Sequence, residues 1–176
     1  MRPCIFLDRD GVINEVNLIQ GKPHPPGNLG QLKILPDVND SLTSLKNAGY
    51  LLIIITNQPD VARGTTSKVT VEKINEFISN ALPIDDIYTC FHDEGDYCDC
   101  RKPLPGAIIA AKKKWKINLE ESFMIGDRWK DMEAGIAAGC KTVFIDYNYS
   151  EKRPQSFNFS ADNLQGATSL ILKGKK

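Results

Sequence analysis

Long hydrophobic runs and net charge are both missing from this chain of 176 residues. The opening MRPCIFLDRD holds an apolar run of only three or four residues before charges arrive, so no cleavable leader is expected. The longest apolar run, Tyr50 to Ile55, is far shorter than a membrane span. Lys plus Arg and Asp plus Glu stand at 22 each, so no global field draws the chain to nucleic acid or to an anionic membrane. An anionic ligand must therefore be recognised locally. Internal repeats and low-complexity segments are also lacking. Histidine is scarce at two residues and cysteine at five, yet three of the cysteines and one histidine crowd into one short stretch. Without export, those thiols are expected in a reducing cytoplasm, where clustered thiols bind metal more often than they form disulfides.

What is present reads as a soluble globular composition, 41% hydrophobic and 25% charged, of a size for one domain over residues 1–176. Short apolar runs at Cys4–Leu7, Leu51–Ile55, Ile87–Phe91, Phe123–Ile125 and Thr142–Ile145 predict buried strands. Between them, Val38, Leu42 and Leu45 share a helical face stopped by Gly49. Val71, Ile74, Ile78 and Ala81 share another, with Thr70 as its expected N-cap and Pro83 as its stop. Ile108, Ala111 and Trp115 mark a third helix after Pro105. Met132, Ile136 and Ala137 mark a fourth, ended by Gly139. A last helix is expected over about 164–172, after a short edge strand near Phe157–Phe159. Residues 20–30 read as an irregular Pro/Gly loop, and the tail from Lys173 to Lys176 as frayed and solvated. Strand-helix alternation predicts an α/β fold, a parallel sheet with helices on both faces. Ligands of such sheets bind beyond the carboxyl ends of the strands.

Those ends carry the chemistry. Asp8-Arg9-Asp10-Gly11 follows the first strand and Thr56-Asn57-Gln58 the second. Arg101-Lys102-Pro103 comes next, and Gly126-Asp127-Arg128-Trp129-Lys130-Asp131 follows the fourth strand. Ordinary turn chemistry could account for one such segment, not for all four. Together they suit phosphoryl transfer, which needs in-line positioning and compensation of charge on the equatorial oxygens. Asp8 and Asp127 can hold Mg²⁺, a hard ion that takes oxygen ligands. Asp8 can attack to give an aspartyl-phosphate. Asp10 can protonate the leaving alkoxide and later activate water. Lys102 and the Thr56 hydroxyl would stabilise the phosphoryl oxygens. Asp131 would orient Lys102 or a metal-bound water.

These four ordered segments resemble the motifs of the haloacid dehalogenase superfamily phosphatases, over nearly the whole chain. The resemblance implies a Rossmann-like domain, Mg²⁺ dependence and the roles above, with the Asp10 backbone carbonyl as a further metal ligand. Only about forty-five residues separate Asp10 from Thr56, so a capless member is expected. Within the superfamily, Asp8 to Asn14, Thr56-Asn57-Gln58, Ala62-Arg63-Gly64 and Cys98 to Pro103 resemble the heptose 1,7-bisphosphate phosphatases, which remove the 7-phosphate. That likeness implies that Arg101, Lys102, Thr56 and Asn57 hold the transferring phosphate. Gln58, Arg63 and Arg128 are further substrate-binding candidates; Arg63 could equally make a surface ion pair. Histidinol-phosphate phosphatases, which share the Arg-Asp-Gly start and the cysteine loop, are the near relatives. Histidinol phosphate or another small sugar phosphate is therefore the alternative substrate, taken up by a monomer. A phospho-accepting signalling domain is the alternative of another class, but it has no use for Asp10 as a proton shuttle.

The stretch CFHDEGDYCDC gathers Cys90, His92, Cys98 and Cys100. A closed set of three thiolates and one imidazole suits tetrahedral Zn²⁺ and leaves no position open for water. A structural zinc loop is therefore expected, against a disulfide, a redox role or free thiols. Cys4 and Cys140 read as small buried hydrophobes, His24 as an exposed loop residue, and Lys112 to Lys116 as a solvated helix face with Trp115 turned inward.

Overall fold

The computed structural model describes residues 1–174, so the last two residues of the expected solvated tail lie outside it. Five of the six strands of the main sheet begin within one residue of the expected apolar runs. These are β1 (Cys4–Leu7), β4 (Leu51–Asn57), β5 (Asp86–Cys90), β6 (Phe123–Gly126) and β7 (Lys141–Ile145). The sixth, β8 (Phe159–Ala161), starts two residues later than expected, at the edge beside β7. All neighbours run parallel, in the order β5-β4-β1-β6-β7-β8.

Period-two alternation splits each central strand between two cores. Ile5 and Leu7, with Leu52 and Ile54, pack under α1 (Val38–Asn47), α2 (Lys68–Ala81) and α5 (Leu164–Lys173). Cys4 and Phe6, with Leu51, Ile53 and Ile55, pack under α3 (Gly106–Trp115) and α4 (Trp129–Ala138). Both faces of the sheet are thus covered, as an all-parallel sheet requires. Cys4 and Cys140 are buried in the second core. Trp115 packs against it too, with its indole N–H donating to Asp86 at 2.8 Å.

Local details differ from the sequence expectation. Helix α2 is capped by Ser67, whose hydroxyl accepts from the Thr70 N–H at 3.1 Å, so Thr70 lies inside the first turn. Ile136 and Ala137 are exposed; Met132, Ala134 and Gly135 form the inward stripe instead. Gly135 lies so close to the sheet that a Cβ there would meet the Met124 side chain at 2.7 Å. The stretch expected as irregular begins with an antiparallel hairpin, β2 (Asn17–Ile19) and β3 (Lys22–His24), turned by Gln20 and Gly21 in the left-handed region. Between β1 and β4 this hairpin, a 3₁₀ turn at Leu29–Gln31 and α1 are the regular elements, and no cap domain stands there. Strand order reverses at β1, between β4 and β6, so the crevice beyond their carboxyl ends is the place for a ligand.

Candidate active site

β1, β4 and β6 end side by side, and each hands a polar segment to the same rim. Asp8, Asp10, Asn57, Arg63, Arg101, Lys102, Arg128 and Asp131 line one cleft of about 290 Å³. Lys22 and His24 of the hairpin form part of its wall, which brings His24 to the site. Thr56, Gln58 and Asp127 are buried and do not line it.

Lys102 is the hub. Its ammonium lies 2.9 Å from Asp8 Oδ1 and 2.6 Å from Asp131 Oδ1, and donates to the Ile55 carbonyl at 2.7 Å. Burial alone would discharge this lysine, but the carboxylates of Asp131 and Asp8 outweigh it and raise its pKa. Asn57 fixes the backbone at the same point: its amide donates to the Lys102 carbonyl at 2.9 Å and accepts from the Lys102 N–H at 3.1 Å. Asp8 takes the Arg9 N–H at 2.7 Å on the oxygen that also faces Lys102. Burial first, then the charge of Asp131, pushes the Asp8 carboxyl up to about 7, against the pull of Lys102.

One oxygen of Asp8, Asp127 and Asp131 each can lie within 4.8 Å of the others. Asp131 spends both of its own oxygens, one on Lys102 and the other on the Arg128 N–H at 3.0 Å. Asp127 differs. Its Oδ2 accepts the Tyr149 hydroxyl at 2.8 Å, while its Oδ1 is buried without any partner. Burial, and after it Asp8 and Asp131, drive the Asp127 carboxyl well above its usual range. Crowded, desolvated carboxylates with an orphaned oxygen are what a hard cation would satisfy. Gly11 makes the approach possible, since a Cβ there would meet Asp127 Oδ2 at 1.9 Å.

The Asp10 carboxylate stands apart from that group. It accepts from Gln58 at 2.7 Å, from Asn14 at 3.0 Å and from the Arg9 guanidinium at 3.0 Å. Gln58, expected on substrate, spends its amide on Asp10 and on the Thr56 hydroxyl, at 2.9 Å. Arg128 is paired with Glu151 through Nε at 3.0 Å. Arg63 holds Asp93 through two bonds of 2.6 and 2.8 Å while lining the cleft.

Cys90, His92, Cys98 and Cys100 converge beside this cleft. Cys90 Sγ lies 3.3 Å from Cys100 Sγ and 3.7 Å from Cys98 Sγ. His92 Nδ1 lies 3.4 Å from Cys100 Sγ and 3.7 Å from Cys90 Sγ. Thiolates about 2.3 Å from a tetrahedral zinc stand about 3.8 Å apart, so this donor set fits that ion. The loop is bound to the cleft by Arg101, which donates to the His92 carbonyl at 3.2 Å.

Tyr149 and Glu151 lie outside the four polar segments, whereas Arg9 stands inside the first of them and Asn14 just beyond it, neither with a role that the sequence assigns. Tyr149 had no local signal, since only the fold brings the segment after β7 back over Asp127.

The family model for haloacid dehalogenase-like hydrolases matches residues 27–139. The chain is 38% identical over 152 residues to the D-glycero-beta-D-manno-heptose-1,7-bisphosphate 7-phosphatase of Haemophilus influenzae, covering 80% of this chain and 79% of that protein. It is 36% identical over 190 residues to the protein of the same name from Pasteurella multocida, covering 100% of both. Among solved structures, the D,D-heptose 1.7-bisphosphate phosphatase from B. bronchiseptica, complexed with magnesium and phosphate, matches with a TM-score of 0.85. That match has 24% identity and covers 98% of this chain and 99% of the other, a likeness of fold. A parallel sheet with its acidic residues at the switch point is the expected setting of that family's motifs, and the chain belongs to the haloacid dehalogenase-like hydrolases.

Proposed function

We propose that this chain is a Mg²⁺-dependent phosphatase that removes the 7-phosphate of D-glycero-D-manno-heptose 1,7-bisphosphate. The observation that carries the reaction is the Asp8 carboxylate at the cleft, held on one oxygen by Lys102. The relatives' names support the substrate. Histidinol phosphate or another small sugar phosphate is the second reading, favoured by the compact Cys90-to-Cys100 loop.

Asp8, Asp127 and the Asp10 backbone carbonyl would hold magnesium, which supplies charge compensation between the nucleophile and the phosphate dianion. Asp8 attacks phosphorus in line as the bond to the sugar oxygen breaks, and Asp10 delivers its proton to that oxygen. Asp10 then takes a proton from water as the water attacks the aspartyl-phosphate, releasing phosphate and regenerating Asp8. Lys102 and Arg101, which line the cleft, hold the phosphoryl oxygens, with Asn57 fixing the Lys102 backbone and Asp131 its ammonium, while the buried Thr56 hydroxyl holds Gln58 in place behind them. Arg63 and Arg128 line the cleft as contacts for the rest of the substrate. Cys90, His92, Cys98 and Cys100 would hold zinc, which would only place the loop that carries Arg101 and Lys102.

The test is phosphate release with Mg²⁺ from both anomers of heptose 1,7-bisphosphate, histidinol phosphate and other sugar phosphates. A marked preference for one heptose bisphosphate is expected, with turnover abolished in Asp8→Asn. Comparable slow rates on every compound would overturn the substrate, and substantial activity of Asp8→Asn would overturn the mechanism.

A further inference from the structure

Arg9 is the largest fully buried side chain among the described residues, at 0% exposure, and it sits between the two aspartates of the motif. A buried guanidinium is costly unless it is paired and hydrogen-bonded on all sides. Here the partner is Asp10. Arg9 donates from Nε to Asp10 Oδ1 at 3.2 Å, and from Nη2 to Oδ1 at 3.0 Å and Oδ2 at 3.1 Å. The other arm of the fork donates to Asn75 Oδ1 at 2.9 Å. Asn75 lies in α2, and its own amide donates to the Thr89 hydroxyl of β5 at 3.0 Å. A continuous polar path therefore runs from the edge strand through α2 to Asp10, at a place where the inward neighbours Ile74 and Ile78 are apolar.

From this geometry we infer that Arg9 and Asn75 are positioning residues for proton transfer by Asp10. The inference rests on the reading of Asp10 as acid and base under Proposed function. A carboxyl that gives a proton to one oxygen and recovers it from water must be held within about 0.5 Å and 10–20° of its working geometry. A planar fork gripping both carboxylate oxygens does that, and a lysine could not, being a point charge without a plane. Asn14 and Gln58 hold one oxygen each, Oδ1 at 3.0 Å and Oδ2 at 2.7 Å, and the charged fork adds three bonds to the same pair from a single rigid plane. Asn75 keeps the fork itself from turning. The pair acts on the carboxyl and touches neither substrate nor phosphate.

Leaving-group dependence separates this role from simple support of the fold. A sugar alkoxide must be protonated as it departs, whereas p-nitrophenolate departs without a proton. Release of the leaving group in the first turnover is measured by rapid quench, with magnesium saturating, for a sugar phosphate and for p-nitrophenyl phosphate. Arg9→Lys is expected to slow release from the sugar phosphate by about tenfold or more, and from the nitrophenyl ester by less than about threefold. Asn75→Ala, on a half-buried helix position that leaves the guanidinium in place, should show the same selectivity to a smaller extent and keeps the test open if Arg9→Lys fails to fold. Equal slowing of both substrates, or none, in Asn75→Ala and any folded Arg9→Lys overturns the inference. Asp10→Asn separates the two claims. If it is selective while the Arg9 and Asn75 variants are not, only the positioning role falls; if it is not selective, the assignment of Asp10 falls as well.

Discussion

Lys102 Nζ stands 2.6 Å from Asp131 Oδ1, with both side chains almost wholly withdrawn from water, at 3% and 1% exposure. The ion pair is closer than the one Lys102 makes with Asp8, at 2.9 Å, so Asp131 anchors the ammonium and leaves it within reach of the nucleophile. Asp131→Asn should lower kcat by about ten- to a hundredfold, with a smaller effect on KM. It should also destabilise the fold, by about 1–3 kcal/mol, because Lys102 loses one charged hydrogen-bond partner but keeps Asp8 at 2.9 Å. Steady-state kinetics and urea unfolding of the variant check both.

The raised pKa of Asp8 sets a pH dependence. An unfolded aspartate titrates near about 4, whereas the folded one titrates at about 7, chiefly through burial and then through Asp131. Between those values the folded protein binds more protons than the unfolded chain, so this group's linkage lowers stability as pH rises from about 4 to about 7. Asp127 is shifted in the same direction. Without divalent cations, Tm should fall across that window. Millimolar Mg²⁺ should restore more of it at pH 7.5 than at pH 5, where protons compete for the carboxylates. Thermal melts with and without Mg²⁺ at both pH values are the check; equal shifts at the two would refute the linkage.

Cys100 is followed immediately by Arg101 and Lys102, and Arg101 is tied back to the His92 carbonyl. On the proposed zinc loop, Cys98→Ala should lose zinc binding and most activity together, by releasing Lys102 from its place. Metal analysis beside phosphatase assays decides this. Full activity in zinc-free protein would reduce the loop to a stabiliser.

Gly11 has φ +86 and faces Asp127, with room for no side chain. Gly11→Ala should cost about 1–2 kcal/mol from the left-handed backbone alone. The displaced Asp127 carboxylate should also weaken Mg²⁺ binding. Calorimetric titration of the folded variant with Mg²⁺ measures the second effect, and unchanged affinity would show that Asp127 is not a ligand.

Much of this protein is written locally. Asp8, Asp10, Thr56, Asp127 and Asp131 are legible because each stands at the end of an apolar strand or about one helical turn beyond, and Lys102 because it directly follows the cysteine loop. The Cys90-to-Cys100 spacing carries its donor set within eleven residues. The parallel sheet followed from the alternation of strand and helix. Short-range choices among equivalent signals are less legible: Ser67 and Thr70 both can cap α2, and it is Ser67 that has the extended backbone of a cap and accepts the Thr70 N–H. The apolar stripe of α4 turned toward Ala134 and Gly135, because close packing on Met124 admits only small residues there. What tertiary structure alone decided are the contacts that span the sheet. Tyr149 reaches Asp127 from 22 residues away, and Asn75 reaches Arg9 from 66. Such pairs depend on strand order and on where a loop returns, and hydrophobic periodicity, which reports only the face a residue shows, carries neither.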